Sequence, residues 1–446
     1  MYNSLYGNSR ILQTETLNLL LKISETTEDK CRSILGDEIF EMFVDLKYIV
    51  MCGEDERKQI NCELEERRKK LATGCYYQRL HLSTTNKCNM NCAYCFCHTF
   101  EYKNETGISE TTLRFPNQSM TFSVAKEAIE KSINTIKENN NDSLSVEFFG
   151  GEPLLNYKLI IDVLEYFGKG EKFGIKITYG YTTNGAYVAD ELLDYLEKYK
   201  VRVAMSIDYI NYETGEFRGD GKLNITWDKI DKNIAKLLDH NVEVKFQSVL
   251  SEQTWDRYNY NLIDYAAEHN LKAIGLILSF DFEFYKKYTP EDISKKVLDI
   301  NDYCVKKGVQ FSGYWYLSFL GLIDPDGWSK RRDWKTCPTI GGLLSVEPNG
   351  DVYACKTTAK LLGNIDDFKG IFSGENYQYY AMRAYSNSPS CDGCEIEGVC
   401  SGNCAGAVEN KFNDINNVDT RYCRTVKLII RGLLERYLRD LKIEDL

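Results

Sequence analysis

No stretch of this 446-residue chain reaches the roughly 18 apolar residues that a membrane-spanning helix needs. The opening Met1-Tyr2-Asn3-Ser4-Leu5-Tyr6-Gly7 lacks the basic, apolar and small-residue order of a secretory signal, so a cytoplasmic protein without a membrane partner is expected. A basic surplus is missing as well: 55 Lys and Arg stand against 66 Asp and Glu, giving a formal charge of −11 and a pI near 5.2. Binding a phosphate backbone needs clustered Lys and Arg, so nucleic acid is not the expected partner. Histidine is scarce too, and none of the 4 falls in a metal-ligand spacing.

Cysteine is abundant, with 16 in the chain. A reducing cytosol does not favour a disulfide framework, so this many thiols point to metal. Ten of them form two groups: Cys88, Cys92 and Cys95, then Cys337, Cys355, Cys391, Cys394, Cys400, Cys404 and Cys423. Cys31, Cys52, Cys62, Cys75, Cys97 and Cys304 are scattered and read as small buried or surface thiols.

The first group is Cys88-Asn89-Met90-Asn91-Cys92-Ala93-Tyr94-Cys95, entered through the polar run Ser83-Thr84-Thr85-Asn86-Lys87. Three thiols at CxxxCxxC spacing can face one inorganic cluster if the chain loops around it. A [4Fe–4S] cluster normally takes four thiolates, so three leave an iron open for chemistry. A zinc loop or a redox thiol pair would satisfy the same short spacing. With Tyr94 just before the last Cys, the loop resembles the radical S-adenosylmethionine (SAM) superfamily.

A chain of this length accommodates two or three domains. Residues 1–77 read as a separate small module with apolar-periodic stretches around Leu17–Ile23 and Ile39–Leu46, a short apolar run Tyr48-Ile49-Val50-Met51 and a charged helical run from Glu54 to Lys70. By position and size it resembles the α+β, winged-helix-like unit with which peptide-modifying members recognise a leader peptide by adding it as an edge strand. A plain N-terminal cap on the barrel is the alternative.

From Gln78 the pattern alternates strand and helix, the mark of a parallel α/β sheet. Expected strands are Arg79–Leu82, Leu144–Phe149, Lys176–Tyr181, Arg202–Ile207, Glu243–Leu250 and Ala273–Leu278. Expected helices are Val124–Glu138, Tyr157–Tyr166, Ala189–Tyr199, Trp227–His240 and Tyr258–His269. Six such units match the partial (β/α)6 barrel of the resembled superfamily, over residues 78–300, and ligands of parallel α/β sheets gather at the C-terminal strand ends.

The motifs fall at those ends. Phe149-Gly150-Gly151-Glu152-Pro153 follows the second strand, its glycines permitting close backbone approach and its carboxylate able to hold an ammonium, though an ordinary strand-to-loop turn would look the same. One βα unit after the three-Cys loop, it resembles the superfamily's motif for the SAM amino group. Thr182-Thr183-Asn184-Gly185 ends the third strand and Ser206-Ile207-Asp208 the fourth, where a hydroxyl and a carboxylate could hold a ribose. Both resemble the family pattern, which continues with Gly where this chain has Tyr209. Arg218 stands where relatives keep an Arg for the SAM carboxylate; the alternative is a solvated charge beside Gly219-Asp220-Gly221.

After a bridging region, 301–336, the second group begins: Cys337, Gly350, Cys355, then Cys391-x2-Cys394-x5-Cys400-x3-Cys404, and Cys423. Residues 337–446 resemble the SPASM extension, which carries two auxiliary [4Fe–4S] clusters; paired zinc ribbons are the alternative, poorly served by seven thiols where two sites need eight. The resemblance implies that Cys391, Cys394, Cys400 and Cys423 hold one cluster and Cys337, Cys355 and Cys404 the other. No thiol follows in Pro338–Leu344 to complete the second set, and Cys304 is distant in sequence.

The resemblance implies three [4Fe–4S] clusters, SAM and an external electron donor of flavodoxin or ferredoxin type. The leading expectation is a maturase that joins a substrate Cys to an unactivated carbon of a ribosomally made, leader-bearing peptide as a thioether. The open auxiliary iron would bind that thiol, and no side chain is assigned as catalytic. A sulfatase-maturing enzyme is one alternative, but Lys356 stands where that family keeps an Asp base and residues 1–77 would be superfluous. Carbon–carbon cross-linking is another. An iron–sulfur electron carrier or zinc scaffold leaves the three strand-end motifs unexplained.

Overall fold

The computed structural model describes residues 2–440 except 3, 6–8, 11, 24–25, 52–54, 96–100, 104–108, 112–115, 219–224, 324–336, 384–388 and 401. Cys52, Cys97 and Gly219-Asp220-Gly221 lie outside the described residues, as does the end of the bridging region.

The strands, in chain order, are β1 (Arg79–Thr85), β2 (Glu101–Lys103), β3 (Ser109–Thr111), β4 (Ser143–Gly150), β5 (Lys176–Thr183), β6 (Arg202–Ser206), β7 (Val244–Leu250), β8 (Ala273–Leu278), β9 (Gln310–Ser312), β10 (Leu343–Val346), β11 (Asp351–Tyr353) and β12 (Leu361–Asn364). Among the described residues β2 and β3 pair with each other, and the rest form one sheet in the order β12-β11-β10-β1-β4-β5-β6-β7-β8-β9. From β1 through β8 each strand is parallel to its neighbour. Helices Phe122–Glu138, Tyr157–Phe167, Asp190–Tyr199, Trp227–Asp239 and Asn261–Glu268 make the crossovers.

Side-chain alternation divides the sheet into an apolar face under the helices and a more polar face opposite. Along β4, Leu144, Val146 and Phe148 are buried against the helices, whereas Ser143, Ser145, Glu147 and Phe149 are half-buried on the opposite face. β8 repeats the pattern. Gly180 and Gly275 lie beside the inward carboxylate of Glu147 and amide of Gln247, where a Cβ would collide.

Two strands extend the expected six-strand unit. β9, from within the bridging region, adds in parallel to β8, and β10, from the C-terminal region, adds in parallel to β1. β11 and β12 then continue antiparallel. The C-terminal region is thereby joined to the barrel by backbone hydrogen bonds. Helix Thr420–Asp440 folds back along helix Pro290–Lys307, with Arg436 held bidentately by Asp302 at 2.6 and 2.7 Å.

The first module departs from its α+β expectation. Among the described residues of 1–77 there is no strand. Helices Thr14–Lys22, Glu28–Leu35 and Asp37–Asp45 enclose a small core of Ile23, Cys31, Leu35, Phe40 and Phe43, with Tyr48, Ile49 and Met51 against it. The run Tyr48–Met51 does not pair as a strand because Lys47 turns the backbone left-handed at φ 60° and the Tyr48 and Ile49 amides both return to the Phe43 carbonyl. That core ends at Met51. Helix Glu56–Leu71 belongs to the main body: Leu71 is fully buried there, and Arg67 donates to the Ile340 carbonyl at 2.5 Å.

Candidate functional site

β1 delivers the three-thiol loop to the C-terminal end of the sheet, directly beside the Gly-Gly-Glu-Pro turn after β4. The Gly151 amide donates to the Thr85 carbonyl at 2.8 Å and the Glu152 amide to the Lys87 carbonyl at 2.9 Å. A Cβ on Gly150 would overlap the Thr85 carbonyl oxygen, and one on Gly151 the Lys87 carbonyl oxygen; Gly150 also has φ 144°. The close approach that the glycines permit is therefore to the lead-in of the cysteine loop.

Glu152 is buried. Its Oε1 accepts from the Thr183 hydroxyl at 2.7 Å and the Leu154 amide at 3.1 Å, and its Oε2 from the Asn184 amide at 2.7 Å. Three donors leave a carboxylate capacity for a further one. Burial raises its pKa against the pull of these donors. Asn184 in turn donates to Asn89 Oδ1 at 2.7 Å, so the third strand end grips the cysteine loop.

The fourth strand end closes the opposite side. Asp208, buried, accepts from the Val249 amide at 2.9 Å and from the Tyr94 hydroxyl. Arg218 Nε donates to the same Tyr94 hydroxyl at 3.0 Å. Ser206, half-buried, ends β6 two residues earlier. Tyr209, in place of the family's Gly, is fully buried: its hydroxyl donates to the Arg218 carbonyl and accepts from Arg257, both at 3.1 Å. Arg257 carries no motif and was invisible to spacing arguments.

Cys88, Cys92 and Cys95 surround this corner. The Met90 amide donates to Cys88 Sγ at 3.4 Å, and the Cys95 amide to the Cys92 carbonyl at 3.0 Å. Burial pushes the Cys92 thiol up to about 11, with Arg218 pulling the other way.

The seven C-terminal thiols occupy two neighbourhoods. Cys391, Cys394, Cys400 and Cys423 line one cavity with Ile396 and Tyr422. Elsewhere the Thr357 hydroxyl lies between two others, donating to Cys355 Sγ at 3.5 Å and accepting from Cys404 at 3.7 Å. The Cys404 thiol is pushed up to about 11 by burial and by Cys337 and Cys355 beside it. Tyr314, in the bridging region and exposed over the residue as a whole, has its phenol raised above the usual tyrosine range by desolvation of the hydroxyl and by Cys404, Cys337 and Cys355. Among the described residues no three His, Cys, Asp or Glu side chains converge on a point that would hold a single metal ion. The donor sets are thiols of the type that ligates iron–sulfur clusters, and the buried carboxylates and guanidinium at the strand ends match the charged groups of SAM.

Residues 82–262 match the Radical SAM superfamily model and residues 337–395 the SPASM iron-sulfur cluster-binding domain model. The chain is 37% identical over 400 residues to a radical SAM cyclopropyl synthase of Paramaledivibacter caminithermalis, covering 90% of this chain and 83% of that one. This chain is a radical SAM enzyme. Its radical SAM and SPASM domains imply [4Fe–4S] clusters and SAM. The fold is shared with the solved structure of native anSMEcpe with bound AdoMet, at a TM-score of 0.65 and 22% identity, covering 81% of this chain and 98% of that one. Streptococcus suis SuiB bound to precursor peptide SuiA gives a TM-score of 0.56 at 15% identity, covering 92% and 93%. No helix among the described residues of this radical SAM enzyme is long and apolar enough to cross a membrane.

Proposed function

We propose that this radical SAM enzyme closes a carbon–carbon bond, forming a small ring, within a ribosomally made precursor peptide, with net loss of two hydrogens. The observation that carries this reading is the likeness to a cyclopropyl synthase along nearly the whole chain, a far stronger match than those to the peptide-bound structures. When bound, the [4Fe–4S] cluster of Cys88, Cys92 and Cys95 with its SAM would supply the one-electron chemistry that takes one hydrogen atom from an unactivated carbon onto the deoxyadenosyl group, the second hydrogen leaving as a proton while its electron returns to an iron–sulfur centre.

The chain's own residues place and enclose the reactants. Glu152, Thr183 and Asn184 serve the SAM amino end and Arg218 its carboxylate, while Ser206 and Asp208 serve the ribose. Gly150 and Gly151 seat the cluster loop, and Tyr94 joins that loop to Asp208. The polar face that carries His81, Glu147 and Gln247 receives the peptide. A flavodoxin- or ferredoxin-type donor supplies electrons, and Cys337, Cys355, Cys404, Cys391, Cys394, Cys400 and Cys423 hold two auxiliary clusters.

A thioether from a substrate Cys is the second reading, favoured by the three-thiol neighbourhood of Cys337, Cys355 and Cys404. Sulfatase maturation fits less well, because a buried lysine, Lys356, follows Cys355. Mass analysis of a co-expressed precursor peptide from the same locus decides among them. A product two hydrogens lighter with every thiol still alkylatable supports carbon–carbon closure. Loss of one alkylatable thiol establishes the thioether, and formylglycine would overturn both.

A further inference from the structure

Asn403 lies between Cys400 and Cys404 in the sequence and lines the cavity of about 90 Å³ that Cys391, Cys394, Cys400 and Cys423 share. Its backbone is fixed from outside the loop. Arg383, buried on the same cavity, donates through Nη1 to the Asn403 carbonyl and through Nε to the Ile415 carbonyl, both at 2.9 Å. One residue earlier, the Tyr422 hydroxyl donates to the Gly402 carbonyl at 3.4 Å, and the Gly402 amide donates to Cys400 Sγ at 3.3 Å. This loop thus already directs one N–H at a thiol of the set.

The Asn403 side chain is held at one end and unmet at the other. Its Oδ1 accepts from the Cys404 amide at 2.7 Å. An amide nitrogen cannot accept that bond, so the oxygen must face Cys404 and the nitrogen must face away. The residue is buried, at 9% exposure, and Nδ2 has no hydrogen-bond partner. A buried donor without an acceptor is costly, so native structures rarely keep one. The carboxylates on the cavity wall are engaged elsewhere, Glu397 by the Gly393 amide at 3.1 Å and Asp419 by Arg421 at 2.6 Å. What the cavity offers is sulfur: four thiols, which become thiolate acceptors once they ligate iron.

We propose that Asn403 is a positioning residue whose side-chain amide donates a hydrogen bond to a sulfur of the iron–sulfur cluster held by Cys391, Cys394, Cys400 and Cys423, raising the reduction potential of that centre. This rests on the cluster assignment given above. Reduction adds negative charge to the centre, so a donor at its sulfur stabilises the reduced form more than the oxidised one. The proposed ring closure returns an electron to an iron–sulfur centre, and a higher potential makes this one a better acceptor. An amide does not titrate, so the role is distinct from that of an acid–base residue.

The test is a redox titration of the anaerobically reconstituted full-length enzyme, followed by electron paramagnetic resonance, with iron content measured on the same samples. Asn403→Leu, close in size and without the donor, should retain its iron while the midpoint of one centre shifts negative by about tenfold in the reduction equilibrium, 59 mV for one electron. Asn403→Asp keeps the acceptor for the Cys404 amide and removes the donor, and it serves if the leucine variant does not fold. Its midpoint also feels the added charge, so it is read by electron–nuclear double resonance: the reduced wild type should show an exchangeable-proton coupling that the Asp variant lacks. Full iron with an unmoved midpoint in the Leu variant, or identical exchangeable couplings in the wild type and the Asp variant, would overturn the hydrogen bond alone. A wild-type protein that takes up no iron, or a Cys391→Ala/Cys394→Ala variant with undiminished iron, would remove the cluster assignment itself.

Discussion

Tyr94, just before the last thiol of the radical SAM loop, donates its hydroxyl hydrogen to Asp208 at the end of β6, a residue 114 positions later. Arg218 donates to the same hydroxyl, so one phenol joins the cluster loop to the carboxylate and guanidinium assigned to SAM. A cluster loop moved at this corner would carry the SAM contacts with it.

Arg218→Gln tests that assignment. A hydrogen bond between charged partners contributes about 1.5–3 kcal/mol, equivalent to roughly 10- to 100-fold in affinity. Equilibrium dialysis of the reconstituted enzyme should show SAM binding weakened within that range, with iron content unchanged.

Gly151→Ala tests the seating of the loop. The added methyl would overlap the Lys87 carbonyl oxygen, backbone that cannot move without displacing Cys88. The variant should keep its far-ultraviolet circular dichroism and lose SAM cleavage. For the wild type we expect on the order of twelve irons per chain, and about eight for a Cys88→Ala/Cys92→Ala/Cys95→Ala variant, at roughly four per cubane. Gly151→Ala should resemble the latter.

His81 gives the barrel a pH dependence. Burial first, then Arg79 and Lys356, lower its pKa to about 3, and its ring stacks on Phe149 at 5.7 Å. An unfolded histidine titrates near about 6.5. Below that pH the unfolded chain takes up a proton that the folded one refuses, so the stabilisation is present above 6.5 and is lost progressively as the pH falls toward 3. His81→Gln should therefore lose less Tm between pH 7 and pH 5 than the wild type in differential scanning calorimetry.

Deletions locate the N-terminal boundary. Removal through Met51 takes away the small core of Ile23, Cys31, Leu35, Phe40 and Phe43 together with the Gly398 amide's bond to the Ser4 carbonyl and the packing of Tyr2 on the main body; it should leave a folded enzyme, somewhat destabilised, that still cleaves SAM without peptide, and if the module holds the leader, binding of full-length precursor weakens. Removal through Tyr77 also strips Leu71, Arg67 and Tyr77 from the main body. Each large buried apolar side chain is worth about 2–5 kcal/mol when truncated. The longer deletion should lower Tm sharply or yield no soluble protein.

Much of the barrel was legible because its code is local. The strand from Ala273 to Leu278 and the helix starts at Tyr157 and Trp227 stand where the apolar period placed them, since a run of residues in one element carries its own periodicity. The cysteine spacings and the Gly-Gly-Glu-Pro turn lie within short segments for the same reason. The N-terminal module was less legible: an apolar run such as Tyr48–Met51 has no period long enough to separate strand from turn, and the left-handed Lys47 decided it.

The sequence by itself determined the strand-and-helix alternation, the membership of the thiol groups and the residues available at each strand end. Tertiary structure alone decided that β9 and β10 extend the barrel sheet, that Tyr209 holds the Arg218 carbonyl where a glycine was expected, and that Lys356 reaches Asn86 across 270 positions. These are pairings between elements far apart in the chain. They are selected by which buried polar groups find a partner when the sheet closes, and no local pattern of residues records that choice.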